Sequence, residues 1–261
     1  MKTIIVTGIT GKLGAAYLDY FRKQKETQCF GVARRKPSKE YKNVSYLFAD
    51  LLDDKAVSSE VEKIDLSRSS EVLLVHPIGM FKFEANKAPE KDKDNDGIDD
   101  DVYASNVLTF KNIFNSITDK IKAEIKKGHK MKLTVSAFGS ITDKYYIPFW
   151  NSYAASKNNL RKIIKNAILR NKTLSIHGVF VNISTADTGN ERSLRPYGNN
   201  KYWLTVKEIV QYSLSHLTNS KKSWIETNIY KFNPNFNPTW YTNHDNVLER
   251  WMNQMGGKNV D

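Results

Sequence analysis

The sequence predicts a three-layer α/β/α fold built on a doubly wound parallel sheet, and three observations carry that prediction. An apolar strand, residues 2–7, runs directly into Thr7-Gly8-Ile9-Thr10-Gly11-Lys12-Leu13-Gly14 and then into a helical pattern of Leu13, Ala16, Tyr17, Tyr20 and Phe21. Short apolar runs go on alternating with helical stretches as far as about residue 232, the order that builds a parallel sheet from strand–helix–strand units. Residues 72–76 are apolar without alternation, as expected of a strand covered on both faces.

Each element follows in order. The glycines after the first strand let the backbone turn tightly and approach a ligand, and the helix behind them offers unpaired N–H groups and a positive dipole end. Strand, glycine-rich turn and helix in that order predict a nucleotide pyrophosphate site at Gly8, Thr10, Gly11, Lys12, Leu13 and Gly14. The second strand, around residues 28–34, ends in Ala33-Arg34-Arg35-Lys36. An acidic residue at this place would hold the 2′-hydroxyl of NAD, whereas Arg34 and Arg35 suit the 2′-phosphate of NADP, so the expected cofactor is NADP(H), with Lys12 adding positive charge. A third strand from Val44 leads to Asp50 and Leu51; Asp50 is read as a helix cap or as an adenine contact. The fourth strand ends at His76-Pro77-Ile78-Gly79. His76 has no second ligand at metal spacing and is read as a turn residue; Gly79 is placed beside the cofactor.

A charged insertion at about 84–101 breaks the alternation. Asp92, Asp94 and Asp96 followed by Gly97 resemble a calcium loop, but Tyr103 stands where the bidentate glutamate belongs, so a mobile charged loop is the competing reading. A long helix from about Asp101 to Ile125 carries Asn106 in its first turns, an awkward place for asparagine unless it does something. A fifth strand, Met131 to Phe138, leads to Ser140. An aromatic loop containing Tyr145, Tyr146, Phe149 and Trp150 delivers the chain to a helix from Asn151 to Arg170. A sixth strand, Leu174 to Ile183, is followed by Ser184 to Gly189 and a polar loop from Glu191 to Trp203. A helix near 205–217 and a strand at 225–231 complete the sheet, and a tail from about 233 turns helical near His244. The aromatic loop residues, with Trp203 and Trp240, are candidates for an apolar pocket.

With 261 residues and 40% hydrophobic composition, the chain makes one domain, 1–261, with ample core. A single cysteine, Cys29, excludes an internal disulfide and suits a reducing compartment, so a cytoplasmic location is expected. The opening apolar run is too short for a signal segment, and no stretch has the length of a membrane span. The net charge of +12 is scattered over lysines that are not interleaved with aromatics, so neither nucleic acid nor membrane is an expected partner. No metal site is expected.

Tyr153 and Lys157 are four apart on the helix from Asn151, and so project from one face one turn apart. An ammonium beside a phenol favours phenolate, and a phenol tuned toward neutrality can give a proton to a developing alkoxide or take one from an alcohol. The glycine turn, Ser140, Tyr153 and Lys157 together resemble the short-chain dehydrogenase/reductase family over residues 2 to about 232. The resemblance implies a Rossmann-type domain and a carbonyl/alcohol oxidoreductase with a small-molecule substrate. Tyr153 would be the general acid/base, and Lys157 would lower its pKa and hold the nicotinamide ribose. Ser140, thirteen positions before Tyr153 as in the family, would polarise the carbonyl; Ser136 fits that spacing less well. Asn106 would anchor a relay water, and Thr188 would contact the carboxamide. The resemblance also implies a homodimer or homotetramer. The spacing Thr-Gly-x-x-Gly-x-x-Gly is more usual in the extended, nucleotide-sugar-modifying subgroup, which leaves an epimerase or dehydratase with bound NAD as an alternative. A catalytically silent NADP-binding sensor is another.

Overall fold

The computed structural model describes residues 1–84, 87–145, 147–217, 222–232 and 243–256. Seven strands form one sheet: β1 (Lys2–Thr7), β2 (Thr27–Ala33), β3 (Val44–Phe48), β4 (Glu71–His76), β5 (Lys132–Ser140), β6 (Ser175–Ile183) and β7 (Trp224–Ile229), in the order β3-β2-β1-β4-β5-β6-β7. Every pairing is parallel. The chain builds outward from β1 to β3, then crosses to the other side of β1 and builds outward again from β4. The reversal between β1 and β4 opens a crevice at the carboxyl ends of these strands, where open α/β sheets bind ligands.

Period-two alternation places the strands' side chains in two cores. Ile5, Val72 and Leu74 join one cluster with Val57 and Val61 of α2 (Asp54–Glu62), Phe110, Ile113 and Ile117 of α4 (Thr109–Lys126), and Leu160 and Ile164 of α6 (Asn151–Arg170). Ile4, Val6, Leu73 and Val75 join the other with Tyr17 and Leu18 of α1 (Lys12–Phe21) and Ile209 and Val210 of α8 (Val206–Leu217). A third cluster, formed by Ile147, Phe149, Trp150, Val247 and Trp251, docks α9 (His244–Gly256) beside the crevice.

Several expectations are corrected. His76 is not a turn residue: it ends β4 fully buried, with Nδ1 2.9 Å from Thr7 Oγ1 and Nε2 3.3 Å from Thr109 Oγ1. Asp50 does not cap α2: its Oδ1 accepts the Leu52 N–H in a tight turn, and Asp53 supplies the cap through the Ala56 N–H. The stretch 191–203 is not all loop, since α7 (Asn190–Leu194) and a short 3-10 turn (Asn200–Tyr202) lie in it. The long helix begins as α3 (Asp100–Tyr103), widens into a π-helical turn at Ala104–Leu108 and continues as α4. A short α5 (Ile141–Tyr145) follows β5 at once.

The charged insertion is a set of self-capped turns. Asp92 accepts the Asp96 and Gly97 amides, Asp96 accepts that of Ile98, and Asp99 and Asp101 pair with Lys82. Among the described residues no three His, Cys, Asp or Glu groups converge as metal ligands. The insertion's end is tied down, because the buried Asp99 donates its N–H to Ser152 Oγ at 2.8 Å. Tyr146, Trp240 and residues 233–242 of the tail lie outside the described residues. No described helix is long and apolar enough to cross a membrane.

Candidate active site

A cleft of about 910 Å³ opens at the carboxyl ends of β1, β2, β4, β5 and β6. The glycine turn forms its near wall. Gly8 adopts φ +62°, a left-handed conformation that only glycine takes without strain, and its carbonyl accepts the Gly11 N–H at 2.9 Å. A Cβ on Gly14 would stand 2.3 Å from that same carbonyl, so α1 seats as close to the turn as backbone can. No side chain caps α1 at Gly11, and its first turn holds no acidic residue. The amides there and the dipole's positive end therefore face the cleft uncompensated, a fit for a pyrophosphate. Thr10, Lys12 and Leu13 complete this wall. Lys12 also acts on Asp187, in the segment after β6: Asp187 is held below the usual carboxylate range by Arg192 first and by Lys12 more weakly.

Arg34, Arg35, Asp50 and Leu51 line the end of the cleft nearest β2 and β3. Arg34 Nη1 lies 3.9 Å from Asp50 Oδ2, with side chains 76% and 48% exposed, so this ion pair is weak and solvated. The other end of the cleft contains Gly79, Ser140, Tyr153, Lys157 and Thr188. Of the four residues that the resemblance makes catalytic and the expected cofactor-binding residues, Asn106 alone does not line it.

Lys157 is buried, with Nζ 5.4 Å from the centroid of the Tyr153 ring, the side-by-side arrangement that helical i,i+4 spacing dictates. Gly79 makes room for it: a Cβ there would meet Lys157 Nζ at 3.0 Å and Asn106 Oδ1 at 3.2 Å. Asn106 sits fully buried in the π-helical turn and stitches three elements together. Its Oδ1 accepts the Met80 N–H at 2.9 Å, and its Nδ2 donates to Met80 O at 2.8 Å and to Ser156 Oγ at 2.9 Å. Ser140 ends β5, and its Oγ accepts the Thr142 N–H at 3.2 Å. Ser136 lies in mid-strand, its hydroxyl has no hydrogen-bond partner among the described residues, and it does not line the cleft. Beneath the floor, burial and then the charge of Lys157 push His76 down to about 3, so its imidazole is neutral.

The N-terminus of α6, which presents Tyr153, is gripped from the insertion. Glu84, itself buried, accepts the Ser152 N–H through Oε2 at 3.2 Å, while Ser152 Oγ accepts the Asp99 N–H. A carboxylate there also complements the helix dipole.

The aromatic lining differs from the expected one. Trp150 lines the cleft, but Tyr145 and Phe149 do not, and Trp203 is packed beneath the guanidinium groups of Arg192 and Arg195 instead. Phe81, from the loop after β4, and Trp251, from α9, are lining residues that sequence reasoning missed. Trp251 lies about a hundred residues from Trp150 in sequence, and no local pattern signals their contact, at 5.0 Å between rings. Arg195 was missed too: buried, it bonds Gln254 of α9 and Thr185 at the cleft and pairs with Glu191.

No model of a known protein family matches the sequence, and a search of curated proteins finds no match either. Solved structures do match in fold. A short-chain dehydrogenase from Burkholderia cenocepacia J2315, in complex with NADP, is similar with a TM-score of 0.68 at 16% identity, over 96% of this chain and 97% of that one. A 4-hydroxyisoleucine dehydrogenase complexed with NADH gives 0.64 at 17% identity, over 88% and 96%. An actinorhodin polyketide ketoreductase variant with NADPH gives 0.66 at 14% identity, again over 88% and 96%. Likeness at these identities shows the shared fold.

Proposed function

We propose that this chain, which has the fold of the short-chain dehydrogenases/reductases, is an NADP(H)-dependent oxidoreductase that interconverts a carbonyl and an alcohol on a small molecule. The observation that carries the reading is the placement of Tyr153 and Lys157 in the same cleft as the uncapped glycine turn and the Arg34–Arg35 pair. The turn would hold the pyrophosphate, and the two arginines the 2′-phosphate. When bound, the nicotinamide supplies a hydride to the carbonyl carbon, so that NADPH, a proton and a ketone give NADP⁺ and an alcohol.

The chain's own residues handle the proton and the oxygen. Tyr153 donates its phenolic proton to the developing alkoxide, or accepts one from the alcohol in reverse. The Lys157 ammonium favours phenolate and so tunes Tyr153 for both directions. Ser140 hydrogen-bonds the substrate oxygen as charge builds on it. Asn106 acts as a positioning residue: with both amide hydrogens committed to Met80 and Ser156, it fixes the loop after β4 against α6. Thr188 and Gly79 border the nicotinamide end.

The test is NADPH consumption with a panel of ketones and aldehydes, comparing the wild type with Tyr153→Phe. Turnover should fall by about 10²–10⁴-fold in the variant, the contribution of a positioned general acid, while NADPH still binds. Equal turnover in both would overturn the assignment of Tyr153. The glycine spacing favours one second reading, an epimerase or dehydratase of nucleotide sugars with tightly held NAD. Co-purifying NAD and no free NADPH oxidation would support it.

A further inference from the structure

We infer that the substrate half of the cleft is built for an uncharged, ring-bearing carbonyl compound, with Trp251 of the C-terminal helix as the wall that selects the ring. The inference rests on the oxidoreductase reading above.

A chain of edge-to-face rings leads from α9 to the reacting phenol. Trp251 packs on Trp150 at 5.0 Å and 66°, Trp150 on Phe81 at 5.3 Å and 90°, and Phe81 on Tyr153 at 5.9 Å and 68°. All four side chains line the cleft. Rings in this arrangement offer the edge and face contacts that a planar guest prefers. They are also held still. The Arg195 guanidinium lies 5.3 Å over the Trp251 ring, and Arg195 is itself buried and bonded to Gln254 Oε1 at 2.9 Å and Thr185 Oγ1 at 3.1 Å. A rigid aromatic wall loses little freedom when a ligand docks. Phe149, in the same cluster, does not line the cleft.

Charge narrows the class. Asp101 and Glu191 line this half, each already matched: Asp101 to Lys82 at 3.0 Å and Lys91 at 2.8 Å, and Glu191 to Arg195. Among the described lining residues of this half, the only cation is Lys157, beside Tyr153. A keto acid would find no cation among the described lining residues of this half beyond Lys157, which already serves Tyr153. A cationic amine would gain little from acids that are already neutralised. An uncharged ring meets neither cost, because it leaves no buried charge unmatched.

The experiment measures NADPH oxidation with 1-tetralone, cyclohexanone, 2-butanone and pyruvate, for the wild type and for Trp251→Ala, Trp251→Phe and Phe81→Leu. Circular dichroism and thermal melts report whether each variant is folded. The expected order of kcat/KM is 1-tetralone, cyclohexanone, 2-butanone, pyruvate. W251A should cut the preference for 1-tetralone over 2-butanone by about tenfold, mostly through KM, with W251F close to wild type. F81L should cut it in the same sense and carries the test if W251A does not fold. Pyruvate or 2-butanone matching 1-tetralone, or a preference unmoved in the folded wall variants, would overturn the ring inference while leaving the oxidoreductase standing. No oxidation with any carbonyl would overturn both.

Discussion

His76 shows how one residue ties the sheet to the site. Its ring is wedged between Thr7 and Thr109 at the end of β4, wholly buried, and its ordinary value of 6.5 is pushed down to about 3 by burial and then by the charge of Lys157. The Thr109 hydroxyl donates to Ser105 O at 2.6 Å, so it accepts from Nε2–H, and His76 Nδ1 is left to accept from Thr7. The sign of the pH effect follows. Between 6.5 and 3 the unfolded chain binds a proton that the folded chain refuses, so the unfolded state binds more protons and stability rises with pH. The contribution is complete above 6.5 and is lost progressively as pH falls toward 3. By pH 5 the loss is about 2 kcal/mol, a figure that requires only a folded value well below 5. Denaturant melts at pH 7 and pH 5 should show this drop in the wild type and a smaller one in His76→Asn. Equal drops would mean that another group governs acid sensitivity.

At the scale of elements, α6 matters most, because its first turn aims Tyr153. The buried carboxylate of Glu84 satisfies one of the amides that a helix start leaves unpaired, and Asp99 fastens the neighbouring hydroxyl. Glu84→Ala should cost about 1–3 kcal/mol, the penalty of a buried donor losing its partner, and should lower kcat by misaiming the phenol. Glu84→Gln keeps a carbonyl acceptor and should recover most of both, read by denaturant midpoint and steady-state rate. A Gln variant as impaired as the Ala variant would show that the charge, not the hydrogen bond, is what α6 requires.

The clamp also marks the border of what the sequence discloses. The inner strands, β1 and β4 above all, are legible because a strand covered on both faces must be a continuous apolar run, and the glycine turn because Gly8 needs a left-handed backbone and Gly14 close contact. Tyr153 and Lys157 are legible because i,i+4 spacing alone puts them side by side. Glu84, Arg195 and Trp251 are not, since each acts through a partner far away in sequence. The π-helical turn escapes for a related reason: local propensity reads straight helix through Ala104–Leu108, and it is the grip of Asn106 on Met80 and Ser156 that accompanies the widening there. His76 reads as a turn residue beside Pro77 because its two threonine partners come from β1 and α4.

At the scale of the molecule, the sheet order sets where charge can act. The reversal between β1 and β4 creates the crevice, and the ends of β2 and β3 extend it to the arginines, so one cleft spans a polar, cationic half and an aromatic half. The net charge of +12 draws any polyanion toward the surface, yet a diffuse field does not choose between NADPH and NADH. Choice requires cations placed where the extra phosphate would lie. Arg34 is the candidate, because its exposed link to Asp50 costs little to break. Removing both arginines should therefore weaken NADPH by about 10- to 100-fold, the worth of one or two charge-assisted bonds, and NADH by no more than about twofold. Raising KCl should weaken NADPH more than NADH in the wild type, and the difference should vanish in Arg34→Ala/Arg35→Ala, because screening acts on the exposed pair that the variant lacks. Titrations of cofactor fluorescence measure the four protein–cofactor affinities at each of two salt concentrations. If the double variant weakened both cofactors equally, the arginines would be part of the general field, and NADP selection would have to reside elsewhere along the cleft.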